Sequence, residues 1–133
     1  MAIEYLNTDL DLSGAVDLGP LASAFEAHGM CTLHINRGND GLWRATFETA
    51  RQHEEPEATI SEMLAVVEGL QAPLLKDWRA CTLREYNIGY DCGAEPWGFN
   101  HGLSTQVLRR LADAGATLRI TLYPPGTLRP PCP

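Results

Sequence analysis

Residues 7–12 alternate without a break. Asn7, Asp9 and Asp11 carry polar side chains, and Thr8, Leu10 and Leu12 form the less polar set between them. Successive side chains of a strand point to opposite faces, so this period of two describes a strand with one dry face and one wet face. Such a strand belongs to a sheet that is covered on one side only. The rest of the chain must then supply a layer for the dry side. With 133 residues the length is that of one domain, and an apolar content of 44% is enough for a single core.

The other elements follow from their own periods. A strand is expected over 3–12. Asp17 caps a helix running to about His28, with Pro20 in its first turn, Gly29 past its end, and Leu18, Leu21, Ala22 and Phe25 on one face. Cys31–Asn36 and Leu42–Thr49 read as a hairpin across Arg37–Gly41, with Cys31, Leu33 and Ile35 pointing one way and Trp43, Ala45 and Phe47 doing the same opposite. A helix after Pro56 carries Ile60, Met63, Leu64 and Val67, and Gly69 ends it. Pro73 begins a second helix bearing Leu74, Leu75 and Trp78. Leu83–Tyr90 is a strand. Ser104 caps a helix with Val107, Leu108 and Leu111, which Gly115 closes, and Leu118, Ile120 and Leu122 mark a last strand. The order gives an α+β fold, a two-layer sandwich with a ferredoxin-like βαββαβ core extended by a further helix and strand. Residues 1–124 form that single domain, and 125–133 form an extended, proline-rich C-terminal tail.

The net charge of −7 sits in one half. Residues 1–60 hold ten acidic side chains against Arg37, Arg44 and Arg51, whereas residues 61–133 hold seven of each sign. An acidic protein repels phosphate backbones, so nucleic acid is excluded as a partner and a basic protein is favoured. No apolar run approaches the length of a membrane span, and the start lacks the basic and apolar regions of a signal peptide. A cytoplasmic location is expected, with Cys31, Cys81, Cys92 and Cys132 as reduced thiols: the first two in the core and Cys132 exposed in the tail.

The segment Asn87–Gly102 holds four glycines, Pro96, three aromatic rings, Asp91, Cys92 and His101. It cannot be regular throughout, and loops of this kind carry function more often than the elements they join. Asp91, Cys92 and His101 are the candidate thiol, base and orienter of a nucleophilic site beside the helix that Ser104 opens. The competing reading has Asp91 and Asn100 capping turns, Cys92 packing and His101 on the surface. Trp97 and Phe99 are expected to tuck under the loop; an aromatic pair at its tip would instead make an interaction hot spot.

Asn7-x-Asp9-x-Asp11 matches the start of a calcium loop, but Leu12 stands where the glycine belongs and Leu18 where the bidentate glutamate belongs, so calcium is rejected. Cys31 and His34 lie three apart on a strand, on opposite faces, and cannot share an ion. No metal or cofactor is expected. Phosphate-loop, nucleophile-elbow and zinc-protease motifs do not occur.

The run Asn87-Ile88-Gly89-Tyr90, then Gly102-Leu103-Ser104 opening a helix, then Ala114-Gly115-Ala116-Thr117-Leu118-Arg119-Ile120-Thr121-Leu122-Tyr123 resembles a bacterial family of small domains of unknown function. Some of its members are linked to toxin-immunity loci. The resemblance covers residues 78–124 and carries no catalytic residues with it. The leading expectation is a non-enzymatic protein-binding module, of immunity or inhibitor type. Asp9, Asp11, Glu48 and Glu85 would steer the partner, and Trp97 or Tyr123 would dock it. The alternative is a small enzyme or ligand-binding domain using the Gly89–Gly102 loop. A third is a structural subunit, a homodimer paired through a sheet edge.

Overall fold

The computed structural model describes residues 2–125. Nine elements follow one another there: β1 (Glu4–Gly14), α1 (Gly19–Ala27), β2 (Met30–Arg37), β3 (Trp43–Thr49), α2 (Pro56–Glu68), α3 (Ala72–Ala80), β4 (Leu83–Asp91), α4 (Thr105–Asp113) and β5 (Thr117–Tyr123). The strands make one sheet in the order β2-β3-β1-β4-β5. β1 is antiparallel to β3 and to β4, β2 is antiparallel to β3, and β5 is parallel to β4. The first four strands thus have the order and directions of a ferredoxin-like sheet, and α4–β5 extends it. The expected α+β class and its extension are both present.

The period of β1 builds the core as its sequence implies. Thr8, Leu10 and Leu12 are buried on the helix side, against Phe25, Ile60, Met63, Leu64 and Trp78. Phe25 stands edge-on to Phe47 at 4.9 Å and to Trp78 at 6.4 Å. The Trp78 indole donates to the Ala114 carbonyl at 2.9 Å, which ties α3 to the end of α4. Arg84 leaves β4 on this side and donates to the carbonyls of Trp78, Arg79, Cys81 and Gly115. One guanidinium thereby satisfies the carboxyl ends of two helices, where the helix dipole favours a cation. Gly115 sits at φ +70°, the left-handed residue that closes α4.

Three expectations need correction. β2 and β3 shift register between Thr32 and His34, so Leu33 is the extra residue of a bulge. Before the bulge Thr32 opposes Phe47 on the helix side and Cys31 opposes Glu48 on the open side; after it Ile35 opposes Ala45 and His34 opposes Thr46. Cys31, Leu33 and Ile35 therefore do not share a face, whereas Cys31 and His34 do. Cys31 is also neither core nor a reduced thiol: it is half-buried and disulfide-bonded. Cys81 is buried as expected, and Cys81 and Cys92 are free. The disulfide removes the premise of uniformly reduced cysteines from the compartment argument. Asp17 binds the Gly19 amide at 2.7 Å but stands one residue before the N-cap, Leu18. No helix is long and apolar enough to cross a membrane among the described residues. Cys132 and the tail from 126 onward lie outside them.

Candidate functional site

β4 carries the loop. Its Gly89 faces the open side of the sheet opposite Asn7, and a Cβ there would meet the Tyr123 ring at 3.3 Å and the Asn7 carbonyl oxygen at 3.6 Å. Glycine is what lets Tyr123 fold across the strand. The next residue, Tyr90, projects to the helix side, where its ring meets Tyr5, Phe99 and His101 at 5.7–5.9 Å. The Tyr90 hydroxyl lies 3.1 Å from His101 Nδ1. Phe99 and His101 stack edge-on at 4.8 Å. The Tyr5 hydroxyl in turn meets Thr8 and Thr59 at 2.8 Å each, which anchors the cluster to α2. Burial, with a smaller contribution from Tyr5, pushes the Tyr90 phenol above its ordinary range.

Backbone bonds hold the loop stem. The Cys92 amide donates to the Tyr123 carbonyl at 2.9 Å, and the Ile3 amide donates to the Glu95 carbonyl at 2.7 Å. Between these points opens a cleft of about 360 Å³, lined by Ile3, Tyr90, Cys92, Gly93, Phe99, His101, Ile120 and Leu122. Its walls are mainly apolar, with Tyr90, His101 and the Cys92 thiol as polar groups.

Of the three catalytic candidates, Cys92 and His101 line this cleft and Asp91 does not. Asp91 follows Tyr90 in an extended strand, so its side chain leaves from the opposite face of the sheet. His101 takes its near contact from the Tyr90 phenol instead.

The binding candidates fall in two places. Asp9, Asp11, Glu48 and Glu85 all lie on the face away from the helices, across the three central strands, and Tyr123 lies at its β5 end. Asp9 and Asp11 are half-buried, while Glu48 and Glu85, expected as exposed steering charges, are buried. Asn7 donates from one amide nitrogen to Asp9 and Glu48, 2.6 Å each. Thr46 donates to Asp11 at 2.7 Å, and Arg119 pairs with Glu85 at 3.0 Å. Asn7, Asp9 and Asp11, which match the start of a calcium loop, are bonded into this network, and among the described residues no three His, Cys, Asp or Glu side chains are grouped to hold a metal ion. Trp97 stands apart at the loop tip. The expectation that it tucks under the loop is overturned: its side chain is 103% exposed and Phe99 is 37% exposed. Phe99 and His101 fold inward onto Tyr90, and Trp97 does not.

Sequence reasoning missed the exposure of β5. Leu118, Ile120 and Leu122 face the helix side in register with Tyr86, Ile88 and Tyr90, yet they are 40%, 61% and 63% exposed. α4 leans onto α2 through Arg110, which pairs with Glu68 at 2.8 Å and donates to Ser61. The Glu57 carboxylate accepts from the Ser104 amide at the start of the same helix. At 100° per residue, Arg110 facing α2 and Val107 and Leu111 facing the sheet turn Leu108 away from α2, towards β5. Leu108 is 47% exposed. No protein-family model, curated protein or solved structure matches the chain.

Proposed function

We propose that the protein is a non-enzymatic protein-binding module of immunity or inhibitor type that takes a basic protein partner. The observation that carries this reading is Trp97, a fully exposed indole on a loop whose stem is pinned by backbone bonds. Tryptophan is the residue type most enriched among interface anchors, and a pinned stem lowers the entropy lost on docking. The acidic open face supplies the second part. Asp9 and Asp11 are its half-buried carboxylates, held by Asn7 and Thr46. Glu48 is buried, and Glu85 is buried and neutralised by Arg119, so the steering charge rests on Asp9 and Asp11. Held charges of one sign raise the encounter rate with a basic partner more than they raise affinity. The resemblance of residues 78–124 to a family of small domains of unknown function, some of them linked to toxin-immunity loci, supports the same reading.

The test is capture from the source lysate at low and high salt, followed by kinetics with the captured protein. Trp97→Ala should weaken binding by about 2 kcal/mol or more, roughly thirtyfold, through faster dissociation. Asp9→Lys with Asp11→Lys should slow association and flatten its salt dependence. Unchanged kinetics in both variants would end the reading.

A second reading rests on the cleft beside Tyr90 and His101. Its apolar walls and one hydrogen-bonding pair suit a small aromatic ligand. A compound that stabilises the wild type in thermal shift but not Tyr90→Phe would favour it.

A further inference from the structure

The two edges of the sheet are built differently. β2 has a bulge at Leu33, and its outer half carries His34, Asn36 and Arg37, all exposed. A bulge and charged side chains are how natural sheets keep an edge from pairing with another chain. β5 has neither. It pairs with β4 over all seven of its residues without a register shift, and holds no proline, lysine or acidic residue. Among the described residues no strand pairs with its other edge, and its helix-side Leu118, Ile120 and Leu122 are exposed.

We propose that β5 is a dimer interface that pairs antiparallel with β5 of a second copy of this chain, about a two-fold axis at Ile120. Three observations choose a second copy as the occupant. The strand is self-complementary about its centre: Ile120 falls on the axis, Leu118 meets the partner's Leu122, and Arg119 meets the partner's Thr121. Apolar residues then oppose apolar ones on the helix side, and polar residues oppose polar ones on the open side. Charge permits it as well. Arg119 is the only ionisable side chain in β5 apart from the Tyr123 phenol, and Glu85 of its own chain neutralises it. The excess of acidic residues lies in residues 1–60, whose strands do not pair with β5. Finally, Leu108 of α4 is a further exposed apolar side chain on the helix side. Paired edge to edge, the two strands satisfy their free backbone amides and carbonyls and bring the two apolar rows into lateral contact. The product is one ten-stranded sheet with two acidic faces side by side. This goes beyond the binding-module reading and stands independently of it, because Trp97 and the acidic face are not consumed.

The test is sedimentation velocity of the full chain from low micromolar to high micromolar concentration, with Ile120→Lys beside the wild type. The wild type is expected to shift from monomer to dimer, and the variant to raise the dissociation constant by at least about tenfold. Ile120→Cys in a Cys92→Ser background should cross-link between chains on mild oxidation, whereas Thr117→Cys should not. A circular dichroism spectrum matching the wild type shows that each variant folds. A wild type that stays monomeric at every concentration overturns the proposal, and so does a dimer that Ile120→Lys leaves intact. Neither result touches the Trp97 kinetics that judge the binding-module reading.

Discussion

β1 and β5 have the same alternating pattern and opposite fates. Leu10 and Leu12 of β1 are 0% and 1% exposed, while Ile120 and Leu122 of β5 are 61% and 63% exposed. Both pairs face the helix layer. β1 is the middle strand, with β3 and β4 beside it and α2 above it; β5 is the last strand, and α4 leans away from it onto α2. A helix about 10 Å across covers roughly two strands spaced near 4.8 Å, so the helix layer can run out before the sheet does. Period decides which face a residue takes. Position in the sheet decides whether that face is covered, and an uncovered apolar face is available to another chain.

The comparison breaks most visibly in the core. Leu10→Ala should cost about 2–5 kcal/mol, because it removes a fully enclosed side chain and leaves a cavity. Urea denaturation followed by circular dichroism measures this, and a cost below about 1 kcal/mol would mean that β1 is not the packed strand described. Ser104→Ala should cost about 1 kcal/mol in the same assay, because the Ser104 hydroxyl accepts from the Val107 amide at the start of α4. A null effect would mean that α4 is held by Arg110 and Glu57 alone. Ile120→Lys should change monomer stability by no more than about 0.5 kcal/mol, measured at low concentration, because the side chain has little to lose. A large loss there would show that the row is covered after all.

Much of the fold was legible. The alternation of Asn7–Leu12, the Ser104 cap and the glycines at 69 and 115 are local signals, and each of those elements is present. What was not legible depends on pairs far apart in sequence. The bulge at Leu33 is a mismatch between β2 and β3, and nothing within Cys31–Ile35 marks it. It moved Cys31 to the open face, beside His34. The lean of α4 rests on Arg110 reaching Glu68, 42 residues away. In the loop, composition named the rings but not their directions. Phe99 and His101 turn inward because Tyr5 and Tyr90 are there to receive them, and Tyr5 comes from the other end of the chain. The separation of Asp91 from Cys92 and His101 follows from strand alternation, and could have been drawn once the strand was extended by one residue to Asp91.

Amide hydrogen exchange of residues 117–123, compared with residues 8–12 across a range of protein concentrations, tests the contrast most directly. The account predicts that β1 is protected equally at every concentration, while the amides of β5 on its free edge exchange fast when dilute and become protected as concentration rises. Protection of β5 that equals that of β1 in dilute solution, or exchange that stays fast at the highest concentration, would contradict it.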